Sequence, residues 1–173
     1  MTAIDLRTKI REVPDFPTPG VGFKDITPLL ADSDALRQTI SSLAEWAESK
    51  EPDLVLGAEA RGFILGPAIA AQVGVGFVPA RRPGKLPPET VSATYVLEYG
   101  ENALEVHPEL IPEGARVVIH DDVLATGGTV EAIARLVRQL GGEVVGVCFI
   151  IELTFLGGRE RLSDLELHAL IEY

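Results

Sequence analysis

Between Asp121 and Thr129 the chain places two adjacent carboxylates and then a turn of small residues, Ala125, Thr126, Gly127 and Gly128. These residue types suit an anion. Glycines allow positive φ, so successive backbone N–H groups can converge on one point, and the hydroxyls of Thr126 and Thr129 add donors. The helix expected to follow would aim its positive end at the same place. Asp121 and Asp122 would repel a phosphate, but they suit ribose hydroxyls or a hydrated Mg²⁺. The implied ligand is a sugar phosphate, with its phosphate in the turn and its diol against the acids. No Lys follows the glycines, as a Walker loop would require, and the G-x-G-x-x-G spacing of dinucleotide sites is absent.

A second cluster, Arg81, Arg82 and Lys85, lies in a stretch with glycine and prolines. The formal net charge is -11, so these cations are poorly explained by solubility and fit a polyanion site. The same charge argues against a general nucleic-acid or anionic-membrane binder.

The elements that must position these residues are read from periodicity. Residues 2–13 and 34–49 pattern as amphipathic helices, the second with Leu36, Ile40, Leu43 and Ala47 on one stripe and Asp34 near its cap. Strands are expected at 54–57, 76–80, 116–121 and 144–153, with a possible edge strand at 166–171. Helices are expected around 64–73 and 129–140, with a short helical turn near 156–162. Segments 92–98 and 103–106 alternate like a hairpin. Strands alternating with helices predict an α/β fold: a mainly parallel, twisted sheet flanked by helices. Ligands of such sheets sit beyond the carboxyl ends of the strands, which gathers 59–61, 81–85 and 121–129 at one rim.

At 173 residues the chain fits one domain. Hydrophobic content of 46% with 24% charge is globular, and the apolar run 144–151 is too short to span a bilayer. The N-terminus carries no signal-peptide core. A single cysteine, Cys148, excludes an internal disulfide and fits a reducing cytoplasm; it is expected to pack in the core.

The string from Val117 to Thr129 resembles the phosphoribosyl pyrophosphate motif of the type I phosphoribosyltransferases. Further strings, Pro14 to Gly20, Phe23 to Ile26, Arg61 to Phe63, Gly84 to Pro87 and Leu97 to Gly100, narrow the resemblance to the adenine-using branch over nearly the whole chain. The resemblance implies transfer of a 5-phosphoribosyl group from phosphoribosyl pyrophosphate to adenine, giving AMP and pyrophosphate with Mg²⁺, by a cytoplasmic homodimer in purine salvage. It also implies a small N-terminal hood over about residues 1–33, a lid over about 82–103 and a cis peptide at Glu59–Ala60.

Site roles follow residue by residue from the resemblance. Asp121 and Asp122 would hold the ribose diol, and Ala125, Thr126, Gly127, Gly128 and Thr129 the 5′-phosphate. Arg61, Arg82 and Lys85 would meet pyrophosphate. Gly22, Phe23 and Lys24 would read adenine's N6 amino group and N1 through backbone, with Phe23 on one ring face and Val123 or Leu124 on the other. No direct metal ligand is expected from the chain, beyond a contribution from Asp121 and Asp122. In relatives using 6-oxopurines an Asp follows the acid pair as base; here that position is Ala125, so Glu98 is the expected catalytic acid–base group. The chain departs from the family at Arg82, where Lys is common, at Gly22, and at His120, which replaces an aliphatic residue and is expected to be packed or hydrogen-bonded. Two rival readings stay open: a phosphoribosyltransferase for xanthine, hypoxanthine or a pyrimidine, and a phosphoribosyl-pyrophosphate-sensing, nucleic-acid-binding regulator.

Overall fold

The computed structural model describes residues 3–20, 22–97 and 100–173. Five strands form its central sheet: β3 (Leu54–Ala58), β4 (Gly76–Ala80), β7 (Arg116–Leu124), β8 (Glu143–Glu152) and β9 (Leu167–Glu172). Their spatial order is β4-β3-β7-β8-β9, and every neighbouring pair is parallel. The expected α/β architecture is present. Its cause is visible in β3, whose five residues are all buried, as strands covered on both faces must be.

Two apolar layers sandwich the sheet. On one face Leu56, Val117, Ile119 and Phe149 pack with Val130, Ile133 and Val137 of α4 (Gly128–Gln139). On the other, Val55, Val118, Cys148 and Ile150 pack with α2 (Ser33–Glu48) and α3 (Gly62–Val73). Cys148 is fully buried, and burial pushes its thiol up to about 12, so it serves as core. No helix among the described residues is long and apolar enough to cross a membrane.

The N-terminal segment differs from the expected helix over 2–13. A 3-10 turn at Leu6–Lys9 gives way to β1 (Arg11–Val13), which pairs antiparallel with β2 (Phe23–Asp25). Tertiary pairing overrides the local pattern: Arg11 donates from Nε to Asp25 at 2.9 Å, and Asp25 also accepts from the Thr27 N–H and hydroxyl. The cap of α2 is Asp32, not Asp34; its Oδ1 accepts from the N–H groups of Asp34 and Ala35. A short helix, α1 (Thr27–Ala31), precedes it and is too brief to leave a periodic signal.

β5 (Val91–Leu97) and β6 (Gly100–Val106) form the expected antiparallel hairpin. Its base is anchored. Ala93, Leu104 and Val106 enter the core on the α4 side, and Arg135 of α4 donates to the Thr94 carbonyl at 3.0 Å.

Candidate active site

The acids stand inside β7, which continues to Leu124, beyond the expected end at Asp121. Asp121 pairs in register with Phe149 of β8 and is half-buried, while Asp122 is 2% exposed. Burial, reinforced by the Asp122 charge, holds the Asp121 carboxyl well above the usual carboxylate range. Burial also raises Asp122, opposed by Arg61. The Arg61 Nε lies 3.2 Å from Asp122 Oδ1 as an ion pair. That oxygen accepts no hydrogen bond among the described residues, so it remains an acceptor for a hydroxyl donor.

What brings Arg61 there is the start of α3. Gly62 lies so close to β7 that a Cβ on it would stand 2.7 Å from the His120 carbonyl oxygen. Only glycine allows that approach. Immediately before, the Glu59–Ala60 peptide is cis, as expected. The Glu59 carboxylate accepts from the Arg82 backbone N–H at 2.9 Å and from Arg81 Nε at 3.3 Å. These contacts, the Arg82 N–H first, hold Glu59 below its ordinary range. Arg81 also donates to the Lys85 carbonyl at 3.2 Å. Arg81 therefore orders the basic loop, while Arg82 and Lys85 are exposed beside it.

The small turn leads into α4. Gly127 takes φ +80 at the N-cap, with no side-chain cap on the helix. The first N–H groups of α4 are thus left for a ligand. Ala125 and Thr129 are half-buried, Thr126 is exposed, and Gly127 and Gly128 are buried.

Phe23 and Lys24 belong to β2 of the N-terminal pair of strands, and Gly22 immediately precedes it. Phe23 meets Phe16 edge-on with centroids 5.2 Å apart. Lys24 Nζ lies 2.9 Å from Glu12 and 4.1 Å from the centroid of Tyr173, the residue that follows β9. That contact seats β2 at the same carboxyl rim as the acids. Val123 retains exposed surface, whereas Leu124 is 1% exposed and packed in the core. Glu98 lies outside the described residues.

His120 is fully buried, and burial lowers it to about 4, so it is neutral at pH 7. Its Nδ1 stands 3.1 Å from the Cys148 carbonyl. A carbonyl can only accept, so the proton is on Nδ1. His120 is the packed, hydrogen-bonded neighbour that the sequence suggests.

The expected helical turn near 156–162 is present, but sequence reasoning did not connect it with the turn after β7. Gly158, in α5 (Gly158–Arg161), lies against Ala125, and Arg161 donates to Glu131 of α4 at 2.7 Å. No local signal marks such contacts, because they join residues about 30 positions apart.

A family model, the phosphoribosyl transferase domain, matches residues 29–165. An adenine phosphoribosyltransferase of Desulfitobacterium hafniense is 52% identical over 173 residues, covering 100% of both chains. The crystal structure of an adenine phosphoribosyltransferase from Thermoanaerobacter pseudethanolicus superposes with a TM-score of 0.94 at 51% identity, covering 98% of each chain. That of the Saccharomyces cerevisiae enzyme, complexed with an imino-altritol bisphosphate and adenine, has a TM-score of 0.89 at 37% identity over 96% of each. With the paired acids, the small turn and the basic loop gathered at one sheet rim, the chain belongs to the adenine phosphoribosyltransferase family.

Proposed function

We propose that this chain transfers the 5-phosphoribosyl group from phosphoribosyl pyrophosphate to adenine, yielding AMP and pyrophosphate in purine salvage. The observation that carries this reading is the union, at the end of β7, of an uncapped helix start with two adjacent acids, Asp122 buried and Asp121 half-buried. The 5′-phosphate sits in the turn Ala125 to Thr129, and the ribose diol donates to Asp121 and Asp122. C1′ is then held between the base and the leaving group, the positioning contribution to catalysis. As the C1′–O bond breaks, the sugar gains oxocarbenium character and the diphosphate gains charge. Arg61, Arg82 and Lys85 provide fixed cations for that charge.

The donor set fits Mg²⁺ carried by its substrate. Asp121 and Asp122 stand side by side near the end of β7, and Asp122 Oδ1 accepts no hydrogen bond among the described residues, so these acids would suit a hydrated Mg²⁺. When bound, Mg²⁺ would neutralise diphosphate oxygens. Adenine recognition rests on β2, which belongs to a two-stranded sheet and, among the described residues, has one edge without a strand partner. Backbone C=O and N–H groups along that edge suit adenine's N6 donor and N1 acceptor, with Phe23 and Val123 covering the ring. Homodimerisation and cytoplasmic location are part of the same reading, and sedimentation at working concentration tests the former.

The deciding assay follows AMP formation beside the products of hypoxanthine, guanine and xanthine. Adenine should win by at least ~100-fold in kcat/KM, because a site built to accept from an amino group leaves its acceptor facing a carbonyl in a 6-oxopurine. Equal use of a 6-oxopurine would overturn the base assignment.

Sugar binding should also expel a proton. In the free site Asp121 is held toward its protonated form by burial and by Asp122. A diol donates to the ionised form, so binding lowers that raised pKa, and affinity should climb as pH rises toward it. Calorimetry of ribose 5-phosphate binding at pH 7.5 should be more exothermic in Tris than in phosphate buffer, since Tris takes up the released proton with more heat. Asp121→Asn should shrink that difference. Identical buffer dependence in both proteins would show that Asp121 is already ionised.

A further inference from the structure

Nothing inside the phosphate turn explains why it holds one shape. Its residues are small, and the N-cap Gly127 offers no side chain. What surrounds it is a single segment. A Cβ on Gly158 would stand 2.3 Å from the Ala125 carbonyl oxygen and 2.8 Å from Leu124 Cδ1, so the Gly158 backbone lies flat on the turn's first residue. The Cβ direction of Gly127 meets the Gly158 carbonyl oxygen and Leu162 at 3.2 Å. Over Gly128 stands the guanidinium of Arg161, 3.4 Å from its Cβ direction.

This wall is tied at both ends. Arg161 donates from Nε and Nη2 to Glu131 Oε2, at 3.0 and 2.7 Å, in the first turn of α4. Arg159 grips Glu152, the last residue of β8, with both arms of its guanidinium, Nε to Oε1 at 2.9 Å and Nη2 to Oε2. The Glu152 side chain is 3% exposed. The Arg159 side chain keeps 45% of its surface exposed, so the pair stabilises little, yet its bidentate grip fixes geometry. Here it fixes the residue next to Gly158.

We propose that Arg159 and Glu152 are positioning residues for the 5′-phosphate: their two-armed pair holds the Gly157 to Leu162 segment against the turn and so sets where its N–H groups converge. The inference rests on the reading of Ala125 to Thr129 as the phosphate site. Arg159 acts through Gly158 and the turn.

Arg159→Lys keeps the charge and loses the two-armed grip. Gly158→Ala keeps the pair and pushes a methyl group into the Ala125 carbonyl. Titration calorimetry with ribose 5-phosphate and, separately, with magnesium pyrophosphate reads two halves of the site, beside the thermal midpoint. Each variant that folds should bind ribose 5-phosphate about tenfold more weakly and raise KM for phosphoribosyl pyrophosphate, since small misplacements of binding groups are costly. Pyrophosphate affinity and KM for adenine should stay within about twofold of wild type, since the proposed effect is local to the turn. Equal loss of both ligands would show general loosening and overturn the proposal, as would unchanged ribose 5-phosphate binding in Gly158→Ala. If Arg159→Lys does not fold, Gly158→Ala decides alone, and its own unfolding would place the segment in the core's stability and overturn the positioning role. A wild-type protein that fails to bind ribose 5-phosphate would instead overturn the underlying reading of the turn.

Discussion

Gly127→Val should cut kcat/KM for phosphoribosyl pyrophosphate by more than ~100-fold, a loss of at least ~2.7 kcal/mol of transition-state stabilisation. Two costs combine at this position. Gly127 sits at φ +80, where a β-branched residue is a steric outlier. Its Cβ would also press the Gly158 carbonyl and Leu162 at 3.2 Å, so the turn must move to admit a side chain. Either displacement spoils the convergence of N–H groups on the phosphate. Asp121→Asn combined with Asp122→Asn should lose as much by a different route, because the amides keep the shape but remove the charge that favours a cationic sugar. Steady-state kinetics with a circular-dichroism melt on each variant checks this. Near-normal turnover in both, with the fold intact, would show that the sugar phosphate binds elsewhere.

The features legible in the sequence are those written in local pattern. The apolar runs of β3, β8 and α3, the periodicity of α2 and α4, and the small turn after β7 all stand close to their expected places. The strand order is not written locally, but the carboxyl-end rule places Arg61, Arg82 and the acids on one rim without it. Where the reading failed, a distant partner made the difference. Arg11 to Val13 pattern as part of a helix until Phe23 to Asp25 offers an edge to pair with. Leu124 looks as available as Val123, and only the packing of α5 and α4 shows that it is buried. Glu152 reads as the polar end of a strand, and nothing adjacent announces that it is buried and paired with Arg159. Contacts of this kind depend on how elements stack, and a single chain does not print them in its periodicity.

Glu98→Gln should lower kcat by ~10²–10⁴-fold while leaving the affinity for phosphoribosyl pyrophosphate nearly unchanged. Position 125 is Ala, so the proposed sugar-phosphate turn cannot also supply the base that relieves adenine of its N9 proton. Among the segments that flank the rim, the string Leu97 to Gly100 contains the remaining acid that matches the family's pattern. Its neighbours in sequence are well anchored. β5 and β6 pair in register up to Leu97 and Gly100, and their bases are fastened to α4, the helix whose start holds the phosphate turn. The base of that hairpin is thus joined to the helix that begins at the proposed phosphate turn, and the proposed role requires Glu98 to reach the imidazole edge of the base. A segment that covers the site would also exclude water, which could otherwise hydrolyse the activated sugar. Glutamine preserves the size and the hydrogen-bonding reach of glutamate but cannot accept a proton. The loss should consequently appear in kcat, and the acidic limb of the pH profile of kcat/KM for adenine should flatten in the variant. If kcat survives and only KM for adenine rises, Glu98 holds the base without moving its proton, and deprotonation must be assigned to solvent or to the departing pyrophosphate.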